Sequence, residues 1–151
     1  MNRNKRTFIK SAGAFSLLLG AGILTPLQAQ AAGARAAFDA RSLAEALAAI
    51  GGTAVSSKDI TISSPNIAEN GAVVQVSVNT SIPNAQEIYI LVEKNPQPMS
   101  AGFIIPAGTE PSIQTRLKMG QSTNIFAVVK ADGKLYSNFK ETKVTLGGCG
   151  G

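Results

Sequence analysis

Val74-Gln75-Val76-Ser77-Val78 alternates apolar and polar residues, a period of two that puts three valines on one face of an extended chain. Ile60 and Ile62 alternate with Thr61 and Ser63 in the same way, as do Ile113, Thr115 and Leu117 with Gln114, Arg116 and Lys118. Turn-forming stretches separate these runs: Ser64-Pro65-Asn66, Glu69-Asn70-Gly71, Ile82-Pro83-Asn84, Asn95-Pro96-Gln97-Pro98, Pro106-Ala107-Gly108 and Ala131-Asp132-Gly133-Lys134. Six or seven short, half-buried strands at this spacing predict a mainly β domain over residues 53–146. The expected architecture is an antiparallel immunoglobulin-like β-sandwich lacking the usual disulfide.

Two stretches depart from simple alternation. Ile88-Tyr89-Ile90-Leu91-Val92 is apolar on both faces, so Tyr89 and Leu91 need a cover beyond the sandwich core. A helix, a second sheet or a partner subunit would supply it, and on the last reading Tyr89 and Leu91 are candidate partner contacts. In the final strand Leu135 and Phe139 have one parity and Val144 and Leu146 the other. The buried face is therefore expected to switch near Lys140 to Thr142, by a bulge or bend.

Ahead of the β domain, Leu43, Ala46, Leu47 and Ile50 recur at helical spacing. They predict one short amphipathic helix capped by Asp39 and ended by Gly51 and Gly52. Residues 32–52 thus comprise a loose small-residue leader, Ala32 to Ala37, and this helix. Before them, Arg3, Lys5, Arg6 and Lys10 precede an uncharged apolar run from Ala12 to Leu24, with Ala29 and Ala31 forming a small-residue cleavage site. Residues 1–31 read as a cleaved export signal rather than a membrane span. Lys5-Arg6-Thr7-Phe8-Ile9-Lys10 resembles a twin-arginine signal with lysine in place of the first arginine. The expected location is the periplasm.

Four of the 14 basic residues lie in that signal and all nine acidic residues follow it, leaving a mature charge of +1. The basic character of the precursor is an export feature and gives no ground for nucleic-acid binding. The chain has no histidine and one cysteine, which excludes a Cys-His or Ser-His pair, a histidine-ligated zinc site, an internal disulfide and a CxxC redox pair. No glycine-rich phosphate loop is present either. These exclusions point away from an autonomous enzyme and from a resident metal or cofactor. Lys130, Lys134, Lys140 and Lys143 stand along the closing hairpin against Asp132 and Glu141, a pattern common on solvated strand edges.

The chain ends in Gly147-Gly148-Cys149-Gly150-Gly151, its only cysteine between two glycine pairs. Glycine brings no side chain to pack and the largest backbone entropy to lose, so this composition predicts a flexible arm over residues 147–151. Three residues from Gly147 to Cys149, at roughly 3.4 Å each, carry the thiol about 10 Å from the domain. An unpaired cysteine in an exported chain is open to oxidation and mixed disulfides, a cost that favours a function for it. No histidine flanks Cys149, so activation of its thiol is left to a partner's pocket. That is the character of a loaded carrier group rather than a catalytic centre.

With Glu93-Lys94-Asn95-Pro96, the Lys130-Ala131-Asp132-Gly133-Lys134-Leu135-Tyr136 hairpin and the terminal Gly-Gly-Cys-Gly-Gly, the exported chain resembles the SoxY family. These are sulfur-binding subunits of the SoxYZ thiosulfate-oxidation carrier. The resemblance implies covalent attachment of sulfur intermediates at Cys149, with SoxZ as heterodimer partner. It also implies transient docking to the c-type haem enzyme SoxAX, the dimanganese thiosulfohydrolase SoxB and, where present, the sulfur dehydrogenase SoxCD. Rival readings are a diglycine carrier that loads sulfur on the carboxylate of Gly151, an interaction protein using Cys149 for an intermolecular disulfide, and a thiol peroxidase. The last lacks an activating basic group. Prenylation fails because two residues follow the cysteine.

Overall fold

The computed structural model describes residues 26–145 of the chain. Two compact units divide the chain, Met1–Ala32 and Gly33–Gly151, and the fold lies in the second. Among the described residues nine strands follow two helices: α1 (Pro26–Asp39), α2 (Leu43–Ile50), β1 (Ala54–Ser56), β2 (Ile60–Ser63), β3 (Ile67–Ala68), β4 (Val74–Thr80), β5 (Ala85–Val92), β6 (Met99–Ile104), β7 (Ser112–Leu117), β8 (Thr123–Ala131) and β9 (Lys134–Val144). The strands form an antiparallel immunoglobulin-like β-sandwich. Its large sheet has the order β1-β9-β8-β5-β6 with β3 also on β9, and its small sheet the order β2-β4-β7. Short β1 and β3 pair parallel to β9, the departures from antiparallel pairing.

The alternating runs become the small sheet as their pattern dictates. Val74, Val76 and Val78 of β4 are buried and meet Ile88, Ile90 and Val92 of β5 and Ile125, Ala127 and Val129 of β8 in one core. Met119 fills one end of that core and is fully buried. At the turn between β8 and β9, Asp132 and Gly133 both take positive φ (48° and 75°), the twist a two-residue hairpin turn needs.

Beneath the helices lies a second cluster. Tyr89 and Leu91 of β5, Val128, Leu135 and Met99 pack against Ala37, Ala40, Ala46 and Ile50. The second face of β5 is thus covered within the chain, and Tyr89 and Leu91 are buried rather than presented to a partner. This corrects their reading as candidate partner contacts: the helices take the apolar area a partner would have taken.

Three further expectations are corrected. The leader from Ala32 is helical, its Ala37 fully buried, because an alanine-rich segment has the highest helix propensity and its small residues allow close packing. Gly33 shows the approach: a Cβ there would come within 2.8 Å of the Ala49 carbonyl oxygen in α2. The cap of α2 is Ser42, not Asp39. Its Oγ accepts from the Glu45 amide at 3.2 Å, while the Glu45 carboxylate accepts from the Arg41 amide at 2.9 Å. Finally, β9 carries no bulge. Its ladder with β8 runs unbroken from Thr123↔Thr142 to Ala131↔Lys134.

The parity change in β9 has a different cause. Leu135 lies beneath α2, whereas Phe139 on the same face passes beyond the helix and is 58 % exposed, stacked on Phe126 with ring centroids 5.4 Å apart. Tyr136 and Val144 face the sandwich. Between them the sandwich side of β9 meets the segment joining β1 to β3, and its side chains there are polar for that reason. Asn138 Nδ2 donates to the Ile60 carbonyl at 2.7 Å and Lys140 Nζ to that of Ser64 at 2.5 Å, and the Thr142 and Ser64 hydroxyls lie 2.8 Å apart.

Intramolecular cover for β5 makes Leu91 a core residue of the isolated chain. Leu91→Ala should cost about 3 kcal/mol in urea unfolding. Phe139→Ala, on the uncovered part of the same sheet face, should cost less than about 1 kcal/mol.

Candidate functional site

Cys149 and its flanking Gly147, Gly148, Gly150 and Gly151 lie outside the described residues, as does Leu146. What the structure defines is the root from which they continue, the end of β9, and that root is held on both sides. Toward β8, the Val144 amide donates to Ser122 Oγ at 2.8 Å, and that hydroxyl lies 3.4 Å from the Val144 carbonyl oxygen. Toward β3, the Thr145 amide donates to the Ala68 carbonyl at 3.1 Å, with the Thr145 hydroxyl 3.5 Å from that oxygen and 3.4 Å from the Glu69 carbonyl. The Lys143 amide donates to Asn66 O at 3.0 Å. Every described residue from Lys143 to the end is therefore pinned through its backbone.

The loops at this end of the sandwich are tied to one another. Asn95, in the turn after β5, donates from Nδ2 to the Lys118 carbonyl at 2.7 Å and accepts at Oδ1 from the Gly120 amide at 3.1 Å. The Met119 amide donates to Gly71 O at 2.7 Å, and Asn124 Nδ2 to the Glu93 carboxylate at 3.0 Å. The arm's root thus rests on a cross-braced platform of three loops. Sequence reading marked Asn95-Pro96 as a turn and missed this bracing, and it passed over Ser122 altogether. A lone serine before a strand gives no pattern from which its partner 22 residues on could be read.

The hairpin lysines do not form one patch. Lys140 is engaged on the sandwich side with Ser64, whereas Lys130 sits on the helix side 3.6 Å from the Glu87 carboxylate. Lys134 and Lys143 are exposed. Glu87, opposite Lys130 on β5, also accepts from the Tyr89 hydroxyl. Burial first, and then that hydrogen bond and the carboxylate's charge, push the Tyr89 phenol above its ordinary range. Lys130, Glu87 and Tyr89 form an electrostatic chain at the margin of the helix-covered cluster, with charges matched rather than poised for transfer.

Among the described residues no group of three or more His, Cys, Asp or Glu could hold a metal ion. No described helix is long and apolar enough to cross a membrane. An open depression on the small sheet is lined by Gln75, Gln114, Thr115 and Arg116, which include neither a nucleophile nor a general base.

These features define a class: a helix-covered immunoglobulin-like sandwich whose last strand, braced on both sides, runs on into a cysteine-bearing glycine tail. Residues 46–149 match the family model of the sulfur oxidation protein SoxY, and the chain belongs to that family. Among solved structures it is similar to the sulfur carrier protein SoxY from Chlorobium limicola f thiosulfatophilum, with 42% identity and a TM-score of 0.63 over 70% of this chain and 97% of that one. A lytic polysaccharide monooxygenase from Jonesia denitrificans aligns at 11% identity and a TM-score of 0.35, over 62% of this chain and 59% of that one, too distant to carry argument. No curated protein matches the chain.

Tyr89 stays protonated in the folded chain at a pH where the unfolded chain's phenol, near pH 10, ionises. Between those two titrations the folded state holds more protons, so its stability is fully present below about pH 10 and declines as pH rises beyond it. Urea unfolding across alkaline pH should show that decline. Tyr89→Phe should make it shallower, and an unchanged slope would contradict the assignment.

Proposed function

We propose that this chain is a periplasmic sulfur carrier that holds thiosulfate-derived intermediates covalently on Cys149 and presents them to the enzymes of a sulfur-oxidation pathway. The observation that carries the reading is the reach of the family match, which extends through residue 149, the chain's only cysteine. The braced root of the arm supports it. A carrier thiol must be presented from a defined point, and β9 ends at Val144, five residues before Cys149.

In this reading the chain is not itself a catalyst and needs no resident cofactor. The Cys149 thiol loses its proton and joins the outer sulfur of thiosulfate. Two electrons leave to the c-type haem enzyme SoxAX, and the product is a cysteine S-thiosulfonate. Water attacks the sulfonate sulfur in the dimanganese enzyme SoxB, which releases sulfate and leaves a persulfide on Cys149. Where SoxCD is present, it oxidises that remaining sulfane sulfur. SoxZ is the heterodimer partner. The glycines flanking Cys149 add no side chain that an enzyme pocket must accommodate.

Intact mass of the chain recovered from thiosulfate-grown cells, before and after reductant, tests the reading. Adducts of sulfur or thiosulfonate should appear, vanish on reduction and be absent from Cys149→Ser. Adducts that persist in that variant would sink it and favour loading on the C-terminal carboxylate; disulfide dimers alone would leave Cys149 a linker. Gly148→Val should leave the unfolding transition unchanged and slow loading by about tenfold or more, since a β-branched residue thickens and stiffens the arm.

A further inference from the structure

The loop that joins β3 to β4 carries Asn70-Gly71, the chain's only asparagine followed by glycine. Among the other asparagines the smallest following residue is Ala85, after Asn84. A glycine amide is the backbone nitrogen least shielded for attack on the side chain before it, because no Cβ stands beside it. Asn70 is exposed, so water reaches the amide group that would leave.

The turn brings the two reacting groups together. Asn70 Oδ1 accepts from the Ala72 amide at 2.8 Å, and the ring this bond closes contains both Asn70 Cγ and the Gly71 nitrogen. The Ala72 N–H polarises the Cγ carbonyl and stands where negative charge collects on Oδ1 during attack. The Val73 amide donates to Asn70 O at 3.4 Å and the Met119 amide to Gly71 O at 2.7 Å. These bonds fix the turn without using the Gly71 amide, which is the nucleophile.

We propose that Asn70 is a site of spontaneous deamidation whose isoaspartyl product loosens the root of the cysteine arm. The Gly71 nitrogen gives up its proton to solvent and bonds to Asn70 Cγ. The Cγ–Nδ2 bond breaks, and ammonia leaves with a proton taken from water. The resulting succinimide adds water at either carbonyl. Opening at Cγ gives aspartate; opening at the backbone carbonyl gives isoaspartate, whose main chain runs through Cβ and Cγ and is one methylene longer. Water is the co-reactant, and nothing is oxidised or reduced. Both products set a carboxylate beside Glu69. The longer one also cannot keep every tie of the loop. Gly71 O is held by Met119, which is fully buried, whereas the Ala68 and Glu69 carbonyls meet the exposed Thr145, at 3.1 Å from its amide and 3.4 Å from its hydroxyl. The displacement therefore falls on the Thr145 brace, and the Ser122 brace on Val144, from the β8 side, is left in place.

This chemistry does not depend on the sulfur-carrier reading, and the test uses the Cys149→Ser chain so that thiol adducts do not enter the masses. Incubated at neutral pH and then digested, that chain should show acid in place of amide at Asn70 about tenfold or more faster than at Asn84. Labelling by an isoaspartyl methyltransferase should find isoaspartate in excess over aspartate there. Asn70→Ser keeps an acceptor for the Ala72 amide, so it should abolish the modification and leave urea unfolding unchanged. Gly71→Ala should slow the conversion by about tenfold or more. Gly71 is buried, and the Asn70→Ser chain carries the test if the alanine variant fails to fold. In the isoaspartyl fraction, separated by ion exchange, amide exchange should be faster at Thr145 and unchanged at Val144. An Asn70 that converts in urea but keeps its amide in the folded chain overturns the proposal. So does an isoaspartyl chain whose Thr145 amide exchanges as slowly as that of the unmodified one.

Discussion

Strand β5 must be buried on both sides, and the rest of the molecule is arranged to do so. Ile88, Ile90 and Val92 face the small sheet, whereas Tyr89 and Leu91 face the opposite way. A two-layer sandwich satisfies only the first set. At about 25 cal/mol per Å² of apolar surface, leaving the second in water would forgo several kcal/mol in a domain of ordinary stability. The alanine-rich helices answer that constraint. Their small side chains let α1 approach α2 at Gly33 and lie low over the sheet, and the Ser42 cap fixes where α2 begins.

The helices are short, and their limited extent decides what β9 looks like. Over Leu135 the strand is covered; by Phe139 it is not. On its sandwich side the chain itself passes from the large sheet to the small one and back, from β1 through β2 to β3, and a strand that changes sheets leaves carbonyls unpaired. Asn138 and Lys140 answer those groups with side-chain hydrogen bonds and Thr142 pairs with the Ser64 hydroxyl, which is why polar residues stand where a core strand would have valines. The same crossing brings β3 alongside Val144 and Thr145 and so supplies one of the two braces at the arm's root.

How much of this was legible follows from the range of each interaction. The alternation in β2, β4 and β7 and the double apolar face of β5 are written in adjacent residues and were read correctly. Gly51 ends α2 as its conformational freedom suggests, with φ at 141°. The cover over Tyr89 and Leu91 was not legible. Nothing in Ala32–Ala37 distinguishes a packed helix from the remnant of a cleavage region until the partner face at Leu91 and Ala49 is known. The parity of β9 misled for a related reason: it was read on the assumption of one buried face, and the strand has two, each buried over a different length. At the candidate site the residue types stand out in the sequence and the bracing of the strand that leads to them does not. Cysteine and glycine announce themselves by composition, whereas the contacts of Thr145 with Ala68 and of Val144 with Ser122 join residues 77 and 22 positions apart.

The two margins of the large sheet are treated in opposite ways. At β9 the edge is closed by β1, β3 and the crossing segment, so no foreign strand can add there and displace the arm's root. At β6 it is open. Three inter-strand steps, through β8 and β5, lie between the two, about 14 Å at the usual spacing. A strand added to β6 therefore extends the sheet away from β9 and leaves the braces of Ser122 and Ala68 untouched. The outward backbone groups of β6 and those that hold Val144 and Thr145 are therefore separate sets, and occupation of one leaves the other intact.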